Sequence, residues 1–158
     1  MLPVLEQELF DLFEGTADAA FAVPDQGEIC SWNKAAERLF GSSRAEALQK
    51  SCQSLLQGRG TLGTQVCGDN CSILDCAASH IDIPNYDLEV KTRSSRRVWV
   101  NVSTLVYENS RNHRPSIVHF AHDITERRKN EEQRKPLSEK FTGPRESTRK
   151  QSLCSHEL

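Results

Sequence analysis

The sequence predicts an α+β fold: a five-stranded antiparallel sheet, short helices inserted between strands two and three, an amphipathic helix in front and a linker helix behind. Three observations carry this. Tyr86, Leu88, Val90 and Thr92 alternate with Asp87, Glu89 and Lys91, the period-two pattern of a half-buried strand. Residues 29–41 read as a short strand running into a capped helix that stops at Gly41. Leu2, Leu5, Leu9 and Leu12, with Phe13 beside them, recur at three- and four-residue intervals, an apolar stripe along a helix.

The elements follow in order. Gly15 ends the first helix, whose stripe must cover the domain's own sheet or pair with a second copy. Ala19 to Val23 is the first strand, turned by Asp25-Gln26-Gly27 into Glu28 to Trp32. Asn33 is the expected N-cap of the next helix, because its side-chain oxygen accepts an orphan amide of the first turn. Ala36, Leu39 and Phe40 form the buried stripe, and Gly41 supplies the left-handed stop. Ser43 caps a short helix through Leu48. Residues 51–81 are less regular and hold four of the six cysteines; a helix is expected from Ile73 to Ile81. Ser94-Ser95 turns the third strand into a fourth, Val98 to Tyr107, and Ser116 to Ile124 makes the fifth. Thr125 is expected to cap a final helix, Glu126 to Lys135, ended by Pro136. That helix is too polar for a coiled-coil seam.

A length of 158 residues suits one domain, and a net charge of −2 gives no prior for nucleic acid or an anionic membrane. No apolar run approaches the ~18–20 residues of a membrane span, and the N-terminus lacks a signal-peptide pattern. The expectation is therefore a cytoplasmic protein with reduced thiols. The boundaries expected are a helix over 1–13, a domain over 14–128, and a polar linker helix and disordered tail over 129–158. No Gly-x-Ser-x-Gly elbow, Walker loop or His-Glu-x-x-His motif is present, and the acidic residues are expected on exposed faces. No catalytic residue is assigned, and the chain is not expected to be an enzyme.

Cys52, Cys67, Cys71 and Cys76, spaced C-x14-C-x3-C-x4-C, are the candidate metal ligands. Four thiolates in one irregular segment suit zinc or an iron–sulfur cluster. Cys67 and Cys71 would face the same way if they shared a helical turn. The bland alternative is that these are small buried residues. His119 and His122 stand an odd number of residues apart on one strand, so they face opposite sides and do not chelate together.

Residues 29–41, with Trp99-Val-Asn-Val-Ser103 and His122-Asp-Ile-Thr-Glu-Arg127, resemble the PAS sensor domain family over roughly residues 14 to 128. The five strands with inserted helices match that topology. The resemblance implies a non-catalytic sensory or interaction module in signal transduction or transcriptional regulation, sensing a small ligand or a redox state. It also implies a relay at Asp123-Ile124-Thr125: Ile124 anchors in the core, Thr125 caps the helix, and Asp123 hydrogen-bonds across the junction. Such modules often dimerise through the leading helix, here by Leu5, Leu9 and Leu12, and a ligand-free dimerisation module is an alternative. A group of bacterial PAS regulators resembles the Cys-x3-Cys region. Residues 51–58 resemble the flavin motif of LOV photoreceptors, yet on Leu-Gln-Gly alignment Gln53 takes the reactive position and Cys52 falls one residue early. The glutamine expected in the last strand is absent as well, so flavin is disfavoured. Haem, with His80 as axial ligand, is disfavoured too. Residues 135–147 resemble the start of a LuxR-type helix-turn-helix domain, which follows PAS in many regulators. Without its helices, no sequence-specific nucleic-acid binding is expected, and the chain reads as a truncated regulator lacking its output domain. The partners expected are a second copy, a small-molecule ligand or an output domain, and no membrane.

Overall fold

The computed structural model describes residues 4–25, 27–67 and 71–135. Among these residues the chain forms α1 (Val4–Glu14), β1 (Ala19–Val23), β2 (Ser31–Trp32), α2 (Lys34–Phe40), α3 (Arg44–Ala47), α4 (Cys52–Leu56), α5 (Ser72–Ala78), β3 (Tyr86–Lys91), β4 (Arg97–Glu108), β5 (Pro115–Asp123) and α6 (Thr125–Arg134). The strands make one sheet in the order β2-β1-β5-β4-β3, with every neighbouring pair antiparallel. The α+β class, the five strands and the helices between strands two and three are as the sequence predicts. Leu2, the Leu5 side chain, Cys154 and the tail expectation from residue 136 onward lie outside the described residues.

Alternation along each strand divides the sheet into two apolar faces. Phe21, Leu88, Val90, Val98, Val100, Val102, Ile117 and Ala121 point to the inner side, under α2 to α5. Phe21, Trp32 and Phe40 stack there with ring centroids 5.4–6.1 Å apart, and Trp32 Nε1 donates to the Ser42 carbonyl at 3.0 Å. The outer face carries Ala22 and Val118, covered by Phe10 of α1.

Local capping chemistry fixes where the helices start and stop. Asn33 Oδ1 accepts from the Ala36 N–H at 2.9 Å, opening α2. Gly41 closes it at φ 83°, a conformation that costs glycine little, and its N–H reaches the Glu37 carbonyl. Ser43 and Glu46 form a reciprocal capping box on α3.

Four expectations need correction. β2 is only two residues long, because Glu28 bridges Ser51 and Ile29 bonds to Lys50 rather than continuing the hairpin. α5 ends at Ala78, where Ser79 and His80 turn back and His80 takes φ 55°. The α1 face packed on the sheet is Leu9, Phe10 and Phe13, whereas Leu12 is 73 % exposed. Phe13 meets Phe120 edge-on at 4.9 Å, so the aromatic residues rather than the leucine stripe dock the helix. Finally, not every acidic side chain is exposed. Glu6 is buried, accepting from the Ser110 N–H and hydroxyl at 3.0 Å each.

Candidate functional site

A cavity of about 470 Å³ lies between the inner sheet face and the α4–α5 region, within the size range of small-ligand pockets. Apolar side chains from β1, β3, β4 and β5 make its sheet wall. The chemically active lining is Cys52, Cys67, Cys71, Tyr86 and His119. Gln53, at the position a LOV cysteine would take, also faces it.

The loop between α4 and α5 builds the thiol side. Gln57 ends α4 in the left-handed region at φ 46°, and the chain then pairs with β3 through Arg59 and Glu89, with reciprocal N–H to carbonyl bonds of 2.8 Å. It folds back so that the Val66 and Cys67 N–H groups both reach the Gly58 carbonyl, at 2.9 and 3.2 Å. Gly58 is required by this close approach. A Cβ there would sit 2.7 Å from Cys67 Sγ and 2.7 Å from Leu88 Cδ2.

Interaction with the Cys67 thiol, and burial after it, hold Cys52 well above the usual thiol range. Interaction with the Cys52 thiol, helped by the Gly58 backbone, draws Cys67 below it. Burial pushes Cys71 up. Cys76, at the buried face of α5, does not line the cavity. Cys67 precedes α5 and Cys71 is its N-cap, so neither lies within that helix, and the segment between them lies outside the described residues. The structure thus gathers three of the four predicted cysteines and leaves Cys76 apart. Among the described residues no group of three or more His, Cys, Asp or Glu is arranged to hold a metal ion.

His119 faces the cavity from the centre of β5, against the Phe21 ring at 5.2 Å and with Nδ1 3.1 Å from Thr104 Oγ1. Burial pushes it down to about 4, so it is neutral at pH 7. His122 points the other way and is exposed, 2.8 Å from Asp18, as the strand spacing predicts. His80 is exposed and does not line the cavity. Tyr86 is pushed well up by burial.

At the end of β5, Ile124 is buried and its N–H reaches the Trp99 carbonyl at 2.9 Å. Thr125 does not cap α6 through its side chain. It is the first helical residue, and the Asp123 carboxylate accepts both its N–H, at 2.9 Å, and its hydroxyl, at 2.6 Å. The hydroxyl oxygen in turn accepts the Trp99 N–H at 3.0 Å. Arg128, one turn on, lies 3.9 Å over the Trp99 ring and bonds to Asp87 at 3.2 Å, while Asn101 holds the other Asp87 oxygen at 2.8 Å. The sequence reading misses Arg128. A lone arginine in a polar helix carries no pattern, although its spacing of one turn from Thr125 is visible.

A family model described as PAS domain matches residues 17–126. Among curated proteins, none matches the chain. Solved structures do. The PAS domain of a protein from Colwellia psychrerythraea is 19% identical, with TM-score 0.56 over 78% of this chain and 99% of that one. The PAS domain of nitrogen regulation protein NR(II) from Vibrio parahaemolyticus is 16% identical, with TM-score 0.57 over 73% and 97%. The PAS domain of an HTR-like protein from Haloarcula marismortui is 16% identical, with TM-score 0.53 over 76% and 92%. At these identities the likeness concerns the fold. Among the described residues no helix is long and apolar enough to cross a membrane.

Proposed function

Because this chain belongs to the PAS domain family, we propose that it is a non-catalytic sensory module of a signalling or transcriptional regulator, reading the state of its central cavity. One observation carries this reading. β5 lines the cavity with His119 and, four residues later, delivers Asp123 to the hydrogen-bonded junction with α6. A change in cavity contents that shifts β5 against β4 is felt at Asp123, Ile124 and Thr125, where two alternative arrangements of α6 would be the output.

The test is a thermal-shift screen of small metabolites, followed by amide exchange of α6 with each stabilising compound. A compound that raises the melting temperature should change α6 exchange, and Asp123→Ala should remove that response while keeping the thermal shift. If stabilising compounds leave α6 unchanged in the wild type, the relay reading fails.

The partner reading is a second copy of the chain. Leu12, on a helix docked by its other face, is the exposed apolar residue that favours it over Leu9, which packs on the chain's own sheet.

A further inference from the structure

We propose that Cys52 and Cys67 are a peroxide-responsive dithiol: a hydroperoxide entering the cavity they line converts this pair into a disulfide. The inference deepens the sensory reading above, on which its downstream consequence rests.

Geometry supplies the argument. Both thiols face the same cavity, from α4 and from the far end of the α4–α5 loop, and each is the first influence on the other's protonation. The glycine behind Cys67 is the residue that leaves room for its sulfur, since a Cβ at Gly58 would overlap it at 2.7 Å. The loop is anchored to β3 at Arg59 and returns to Gly58 at Cys67, so the sulfur is seated by backbone on both sides. Cys67 is the member favoured as thiolate, because it is drawn below the usual thiol range while Cys52 is held above it. Cys30 is unsuited to the role: burial raises it to about 11, and it packs with the cluster on the outer sheet face.

The chemistry balances with hydrogen peroxide as oxidant. The Cys67 thiolate attacks one peroxide oxygen, the O–O bond breaks, and the departing hydroxide takes a proton and leaves as water. Cys67 is thereby oxidised by two electrons to a sulfenic acid. Cys52, having lost its proton, attacks the sulfenyl sulfur; the S–S bond forms, the S–O bond breaks, and a second water leaves. Two thiols and one peroxide give one disulfide and two waters. The sulfurs must close to about 2.05 Å, which draws the loop toward α4 and reshapes the cavity wall. A dithiol reductant reverses the change.

The experiment uses the full chain, reduced and purified without oxygen, then exposed to hydrogen peroxide and mapped by peptide mass spectrometry. The expected product is a Cys52–Cys67 linked peptide. Cys52→Ser should instead accumulate a dimedone-reactive sulfenic acid at Cys67. Cys67→Ser should lose the fast oxidation, by about tenfold or more in rate. Cys30→Ser, on the outer sheet face, should behave as wild type. In case a variant fails to fold, alkylation of the wild type below pH 8 should label Cys67 ahead of Cys52 and Cys71. Cross-linking that runs through Cys71, oxidation no faster at Cys67 than at Cys71, or stoichiometric metal holding the thiols would each overturn the proposal. Amide exchange of α6 before and after oxidation separates the two ideas. A disulfide that leaves α6 unchanged supports the dithiol and overturns the sensory reading. No disulfide, with α6 still responsive to a cavity ligand, does the reverse.

Discussion

The Asn33 side chain joins three elements at once. Its Oδ1 accepts from Ala20 and Ala36, at 2.9 Å each, while Nδ2 donates to the carbonyls of Phe13 and Asp18, at 2.8 and 3.1 Å. Asn33→Ala removes a helix cap and strands buried backbone groups, so a loss of about 2–4 kcal/mol is expected in urea unfolding. A loss under about 1 kcal/mol would mean that water replaces the amide. His119 makes a second residue-scale prediction. In the unfolded chain it protonates near pH 6.5, whereas in the fold it resists until about 4. Between those values the unfolded state binds the extra proton, so this contribution to stability is lost as pH falls from 6.5 to 4, by about 2–3 kcal/mol. Above pH 6.5 both states are neutral and the term vanishes. His119→Gln should flatten that part of the stability–pH curve, and an unchanged slope in the variant would refute the assignment.

At the scale of elements, α6 joins β5 through the buried Ile124 and the polar contacts of Thr125, and no residue of α6 itself is buried. Arg128 over Trp99, with its bond to Asp87, is the main tie beyond the first turn. Arg128→Ala should leave the melting temperature of the core unchanged and speed α6 amide exchange by about tenfold, the loss of about 1.4 kcal/mol. Equal exchange in the variant would show that α6 is held by Thr125 alone. Legibility in the sequence divides here along physical lines. β3 is readable because alternation reports burial directly, and α2 because Asn33 and Gly41 act within a few residues of themselves. β2 is shorter than its pattern suggests, since Glu28 and Ile29 answer to Ser51 and Lys50, residues no local pattern names. The Cys52–Cys67 pairing is not readable either. It depends on a loop folding back to Gly58, and composition records only that cysteines are dense there.

Across the whole molecule, the sheet is covered twice: by α2 to α5 over the cavity and by α1 on the other side. Leu12 lies on the uncovered side of α1, so Leu12→Glu should shift a dimer to monomer in sedimentation without unfolding the chain. Wild type that is monomeric at high micromolar concentration would remove the second copy as a partner. The helical stripe is legible as amphipathic, but its docking face is not. Phe10 and Phe13 are chosen by Tyr107 and Phe120, which arrive from strands far along the chain.

The bond from Asn33 to the Phe13 carbonyl and that from Ser110 to Glu6 also bear on where this protein is divisible. A designer splicing the sensor onto a foreign output would be tempted to cut at Gly15, where the first helix ends. That cut would remove one of the three acceptors around Asn33 Nδ2, release the turn at Ser110 and lay bare the aromatic outer face of the sheet. The leading helix is therefore a staple of the sensor, and a transplant that keeps its input must carry the helix with it.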